Sequence, residues 1–541
     1  MTGSHSAKVG FRYHANDSTF PKNFYNNAQL KYNFLNGVPQ QLTMYADQGS
    51  TQQQHQGMVA MYAQDRWTVG RLTLQGGLRF ERLADHFDQQ QMGPNRFLPT
   101  AIVFPAADGP LHQKDLQPRF GAAYDVFGNG KTSAKFFLGE YVTTTNTVNE
   151  WLFYSPAGIG HFASSTTRSW NDSFYGAGDP RTGNFTPDCD LLNPAGNAEC
   201  SAMASPTFGK TISPTEVDTD TTSGWNKREH SWDLSVALAQ QIAPRVSFEV
   251  SYNRRTWGNL QATINRNLTL ADFDTFTYAV PNDPKLASAG QTLTYVDLKP
   301  GKFGQIDNYL TFADKVGGAY NHYNGVDLSL NARVHQLVIQ GGFSTGNVVE
   351  DNCGVANAHP EVNIFGAWGG TLSFFDAFQP GLWQWPVAYC HRESGWKTNV
   401  KGLATYNVPK ADVVVSGTFH SLPYPGSNFP SVTSQSLIAQ TFLLFGQTSL
   451  PRFFAGGTSF VMPVQLVQPG TVYGDRLNGV DLRFGKNLRY GRTRTLVALD
   501  IFNVTNSNAP DVYQQNYGAA YLNPLSITQA RLFKISVQFD F

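Results

Sequence analysis

The sequence predicts an all-β chain, an antiparallel up-and-down β-barrel that crosses a membrane with its strands. Three observations carry this. Only 15% of the 541 residues are charged while 13% are aromatic, against about 25% charged in an ordinary soluble domain. The mean hydropathy is nonetheless below zero, and no window approaches the ~18 consecutive apolar residues of a transmembrane helix, which leaves strands, whose apolar content is halved by alternation. Finally, apolar and polar residues alternate strictly in segments joined by tight turns and long loops in turn, the pattern of a barrel with one rim of short connections and one of long.

The last segment is the clearest. Phe533, Ile535, Val537, Phe539 and Phe541 are apolar, and Lys534, Ser536, Gln538 and Asp540 between them are polar. A strand points successive side chains to opposite faces, so this spacing puts one face in lipid and the other in water, whereas a helix would scatter the same residues all round. The period recurs in Ala7–Tyr13, Trp232–Leu238, Val246–Tyr252, Val326–Val334 and Val480–Phe484. All such runs together predict about 16 strands, near 6–14, 22–34, 40–48, 57–69, 71–83, 117–127, 131–142, 228–242, 245–260, 322–334, 336–349, 396–408, 411–421, 476–489, 493–506 and 529–541. Many exceed the ~9 to 11 residues that cross a bilayer, so they project beyond it.

Tight connections fall at Val69–Arg71, Phe127–Lys131, Ala243–Pro244, Val334–Gln336, Pro409–Lys410 and Tyr490–Arg492. Long loops lie between them, near 84–116, 143–227, 261–321, 350–395, 422–475 and 507–528. With an even strand count both chain ends fall on the short-turn rim. Trp67, Phe127, Tyr490 and Phe541 stand beside tight turns, where an interfacial aromatic girdle belongs. A soluble propeller would repeat every ~40 to 50 residues, and the uneven spacing here excludes it. No linker divides the chain, so 1–541 reads as a single partial barrel domain. Met1–Ser6 shows neither the basic nor the apolar region of a secretory signal.

Forty Lys+Arg balance 40 Asp+Glu, so there is no basic excess for a nucleic-acid partner. The inward positions Lys8, Arg12, Arg79, Glu81, Asp327, Arg333, Asp481, Arg483, Lys534 and Asp540 mix both signs, which implies no strong ionic preference in the lumen. Cys189, Cys200, Cys353 and Cys390 fall in loops as two neighbouring pairs, the pattern of two loop disulfides in an oxidising compartment. Zinc at Cys353, His359, Cys390 and His391 is an alternative with unfamiliar spacing, and calcium at Asp188 and Asp190 is another. Gly130-Lys131-Thr132 lacks the glycine five residues earlier that a phosphate loop needs and reads as a hairpin turn. Gly342–Gly346 matches a nucleophile elbow around Ser344, yet no helix start follows. With no paired-carboxylate, dinucleotide or zinc-protease pattern, neither an enzyme nor a cofactor is expected. The loops 143–227 and 350–395 carry Trp151, Phe153, Tyr154, Trp170, Trp368, Trp383 and Trp385. Exposed rings there suit a ligand with apolar or sugar-like faces; the same rings equally suit small cores within the loops.

Met61–Glu81, ending Gly77-Leu78-Arg79-Phe80-Glu81, resembles the strand pair typical of TonB-dependent outer-membrane receptors, and Pro118–Thr132 resembles the hairpin that follows it. Asp188–Pro194 with Cys200, and Asp500–Asn506, are similar to segments of the branch that carries an N-terminal carboxypeptidase-regulatory-like domain. Phe539 and the final Phe541 resemble the terminal signal read by the barrel-assembly machinery. These similarities run over the whole chain. They imply a Gram-negative outer-membrane transporter that captures a nutrient on its extracellular loops and imports it to the periplasm. Family members close about 22 strands around a plug. The plug and about six strands have no counterpart here, so the resemblance covers the C-terminal barrel portion, and the TonB complex would act only through the missing plug region. A passive pore, a surface-binding adhesion barrel and a non-functional truncated fragment are the alternatives.

Overall fold

The computed structural model describes residues 4–21, 29–47, 49–143, 154–157, 161–212, 215–302, 305–363, 385–424, 437, 440–444, 461–491 and 493–540. Alternation in the sequence becomes a continuous antiparallel path in which each strand pairs with the next in chain order. Its members are β1 His5–Pro21, β2 Thr51–Val69, β3 Leu72–Phe87, β4 Ala107–Asp125, β5 Thr132–Val142, β6 His230–Ala243, β7 Val246–Gly258, β8 Tyr320–Val334, β9 Leu337–Asp351, β10 Lys397–Val408, β11 Val413–Leu422, β12 Leu477–Tyr490, β13 Thr493–Phe502 and β14 Leu532–Asp540. Two short additions, Ser223–Trp225 beside β4 and His391–Glu393 beside β9, bring the sheet to 16 strands. Among the described residues no pairing joins β1 to β14.

The total agrees with the expected 16, but its membership differs. The strands expected near 22–34 and 40–48 do not join the path. Their described parts, Leu30–Leu35 and Val38–Tyr45, pair with each other and with Ser165–Ser169 in a separate three-stranded sheet. Leu42 and Met44 are fully buried there. A strand that buries one face in a loop core alternates just as one that faces lipid does, so period two identifies a strand without identifying its partner.

Facing follows the sequence. Phe136, Val236, Tyr252 and Val326 are register partners across β5 to β8, and the first three remain exposed despite their bulk. Phe484, Leu499 and Ile535 form a second such row across β12 to β14, again exposed. Rows of exposed aromatic and aliphatic side chains on one sheet face form a surface that water solvates poorly and hydrocarbon tolerates well. The intervening positions point inward and pair as ions: Arg255 with Asp233 at 2.5 Å, Lys135 with Glu249 at 2.6 Å and Arg483 with Asp500 at 2.6 Å.

All six tight turns occur where expected. The turn after β4 is closed by the Asp125 carboxylate, which accepts hydrogen bonds from the Gly128 and Gly130 amides at 3.0 and 2.8 Å. Gly128 and Gly130 adopt φ of 68° and 71°, a region that glycine enters without a Cβ clash. Gly130-Lys131-Thr132 is therefore hairpin chemistry.

At the opposite rim the long connections fold into cores of their own. One contains Leu42, Met44, Phe104, Phe162, Trp170 and Leu191, drawn from three connections. Another joins Leu293, Tyr295, Tyr389, Val464, Leu466 and Tyr521 from four, and the Tyr295 and Tyr389 hydroxyls donate to the carbonyls of Gln465 and Leu466 at 2.6 and 3.0 Å.

Candidate functional site

The inward face of β3 and β4 meets these loops at a buried ionic cluster. Arg228, just before β6, donates from Nε to Asp115 Oδ2 at 2.6 Å and from Nη2 to Glu81 Oε2 at 2.5 Å. Arg79 donates from Nε to the other Glu81 oxygen at 2.6 Å. Asp115 is 0% exposed. Charges taken from water at this depth are tolerated only when paired and hydrogen-bonded; Arg228 bridges the two carboxylates, and Arg79 adds a second cation at Glu81.

Arg228 ends a strap, residues 215–228, that links the connection between β7 and β8 to β4. Glu216 and Val217 lie parallel to Asn308–Phe312 of the connection between β7 and β8. A one-turn helix, Thr219–Thr222, follows, its first amides capped by Asp218. Ser223–Trp225 then runs parallel to β4. Gln113 Nε2 of β4 donates to the Thr221 carbonyl at 2.8 Å. Asp218 also accepts from Thr311 Oγ1 at 2.5 Å and from Lys315 Nζ at 2.8 Å. The strap thus ties two extracellular connections to the barrel wall. Alternation marks Arg79 and Glu81 as inward charges, but nothing in the sequence links them to Asp115, Arg228 or Lys315, which lie on distant segments.

The aromatic candidates separate in space. Trp170 is 2% exposed, lies edge-on to Tyr32 and Phe34, and donates its indole N–H to Glu199 at 3.1 Å; it holds a loop core together and presents no open ring. Trp385 is half-buried against the second loop core, with the Arg392 guanidinium 5.8 Å from its ring centre. Tyr154 is half-buried. Trp151, Phe153, Trp368 and Trp383 lie outside the described residues, as does Phe541. Phe539 is exposed on the outer face of β14.

The cysteines are bridged, Cys189 to Cys200 with Cα atoms 5.9 Å apart and Cys353 to Cys390 at 4.8 Å. The second bridge leaves no thiolate for zinc, and its neighbours are engaged elsewhere, His391 with Asp351 at 2.7 Å and His359 with Glu361 at 3.4 Å. Around the first, the Arg168 guanidinium is buried and donates to the carbonyls of Asp190, Asn193, Ala195 and Ser201. The calcium candidates serve as local caps: Asp190 accepts from the Leu192 amide at 2.9 Å and Asp188 from Asn184 Nδ2 at 2.7 Å. Ser344 sits within β9, so the strand-to-helix turn of an elbow is absent. The glycines of that motif have a packing reason: a Cβ on Gly342 would strike the Leu328 carbonyl, and one on Gly346 the Tyr323 ring.

The family described as outer membrane beta barrel domain matches residues 1–360. No curated protein matches the sequence. Among solved structures the chain is similar to the outer membrane transporter YddB from Escherichia coli, with 10% identity over 99% of this chain and 66% of that one and a TM-score of 0.39. It is similar also to the FrpB iron transporter from Neisseria meningitidis (F3-3 variant), with 10% identity, 99% and 52% coverage and a TM-score of 0.45. The ferric yersiniabactin uptake receptor FyuA from Yersinia pestis gives 8%, 100%, 56% and 0.39. The chain spans between about half and two-thirds of the length of these structures. With its exposed apolar sheet face, inward ion pairs and single rim of long loops, the chain belongs to the outer membrane beta barrel domain family, and its place is the cell outer membrane.

Proposed function

We propose that this chain is the barrel portion of a TonB-dependent transporter, of the branch with an N-terminal carboxypeptidase-regulatory-like domain, which captures a nutrient on its extracellular loops and imports it to the periplasm. The observation that carries this reading is the division of labour between the rims. One holds six minimal turns, while the other holds connections with their own cores, two disulfides and a strap anchored at a buried ionic cluster. A passive channel has no need of such elaborated loops, whereas a receptor requires a preorganised surface to bind a scarce ligand. The resemblance of Met61–Glu81 supports the family. In this reading a plug outside the present sequence occupies the lumen and engages TonB, and the barrel-assembly machinery inserts the chain through Phe539 and Phe541.

Planar-bilayer recording on the protein from its full reading frame tests the reading. A transporter with its plug in place shows no steady current, and deletion of the plug opens a large conductance. A steady open current from the intact protein, unaffected by any upstream deletion, establishes the passive pore instead.

A further inference from the structure

Where β1, β2 and β3 reach the long-loop rim, their register sets three polar groups in a row. Asp17 is opposite His55, and His55 is opposite His86. Asp88, the residue after β3, returns to the same point. All of these face outward. In β1 and β2 the odd positions carry the exposed apolar residues Val9, Phe11 and Met61, and in β3 the even ones do, as at Leu78. His55 lies four residues beyond Val59, roughly 13 Å along the strand at about 3.3 Å per residue, so the cluster stands past the apolar band.

His55 Nδ1 is 2.7 Å from Asp17 Oδ1, and its Nε2 is 2.9 Å from Asp88 Oδ2. The His86 ring is stacked on that of His55 with centroids 4.6 Å apart and 12° between planes. One donor atom each from His55, His86 and Asp88 lies within 4.8 Å of the others. An exposed His–Asp contact alone contributes under about 1 kcal/mol, which explains neither the second imidazole nor the second carboxylate. A metal explains both. Two imidazoles and a carboxylate are a donor set taken by zinc-class ions at about 2.0 to 2.2 Å, and tetrahedral donors at that radius stand about 3.4 Å apart. The three groups need to approach by only about 1.4 Å or less to reach that spacing, a movement open to side chains at the rim. Asp17 has the outer role, because a metal-bound histidine usually gives its other ring N–H to a carboxylate that fixes the ring.

We propose that His55, His86 and Asp88 form a binding site for a divalent transition-metal ion of the zinc class, with Asp17 as the positioning residue that orients His55. The fourth coordination position faces outward and is open to water or to a donor atom from another molecule. The site ties β1, through Asp17, to β2 and β3. It is independent of what the barrel transports.

Isothermal titration of zinc chloride into the full chain folded in detergent micelles tests the site, with cobalt(II) absorption as a report on coordination. One equivalent of zinc is expected. Affinity should fall at least tenfold in His86→Ala and in Asp88→Asn, and about 10- to 100-fold in Asp17→Asn through loss of the orienting contact. His112→Ala, an exposed histidine on β4 opposite Ala84, should bind as the parent does. Heat-modifiable mobility on a gel verifies that each variant keeps its barrel. Absence of an equivalent of zinc in the parent overturns the proposal, as does an affinity in His86→Ala equal to that of His112→Ala.

Discussion

Replacing Val236 with Arg isolates the claim that one sheet face meets hydrocarbon. Val236 lies mid-strand in β6, seven residues from its end at Ala243 and six from its start at His230, which places it near the bilayer midplane. Its register partners are Phe136 on β5 and Tyr252 on β7. All three are exposed, Val236 at 48%, so the valine itself contributes little packing and the cost of the change is chiefly that of a guanidinium in lipid. That cost is about 2 to 4 kcal/mol at the midplane. Ser235 points the other way, between Phe137 and Asn253, and Arg there can reach lumen water at a cost under about 1 kcal/mol. The pair differs by one residue and shares its backbone surroundings, so the difference between the two costs reports facing alone. Reversible urea unfolding from phospholipid vesicles, followed by tryptophan fluorescence, measures both. Equal costs for Val236→Arg and Ser235→Arg, or a larger cost for Ser235→Arg, would refute the assignment of outer and inner faces.

Arg228→Ala strands Glu81 and Asp115 as buried carboxylates without their shared cation and is expected to cost about 3 to 5 kcal/mol; the same urea titration reads it, and a cost near zero would show the cluster to be open to water. Cleaving the two disulfides should loosen the loops unequally, because the chain-entropy stabilisation for the 11- and 37-residue separations is about 3 and about 4 kcal/mol. Hydrogen exchange should therefore rise more around Cys353 and Cys390 than around Cys189 and Cys200 after reduction. Burial pushes the Asp218 carboxyl up, but the Lys315 ammonium and Thr311 hydroxyl outweigh it and hold the group at about 2, below its ordinary value near 3.8. A depressed carboxyl contributes stability above its unfolded value and loses it as pH falls through the folded one. The strap at 215–222 should thus stay protected from exchange down to about pH 4 and open progressively between about pH 4 and pH 2; opening already at pH 6 would contradict the contact.

What the sequence determined by itself is the class of fold, the presence of alternating strands, the facing of their side chains and the tight turns. These depend on local information: period two sorts side chains to two faces, and Asp125, Gly128 and Gly130 encode a hairpin within a few residues. Cysteine spacing likewise pointed to the two pairs that the structure bridges. Only the tertiary structure decided which alternating segments belong to the wall. Leu30–Leu35 and Val38–Tyr45 have the right period, yet they cover a loop core built from Phe104, Phe162 and Trp170, and nothing within them distinguishes protein from lipid as the apolar neighbour. The same holds for the polar constellations. Arg228 reaches Glu81 across 147 positions of sequence, and His55 meets Asp17 and His86 only because three strands align in one register. Alternation is a property of a single strand, whereas a cluster of charges or metal donors is a property of the sheet, which brings distant segments within about 5 Å of one another.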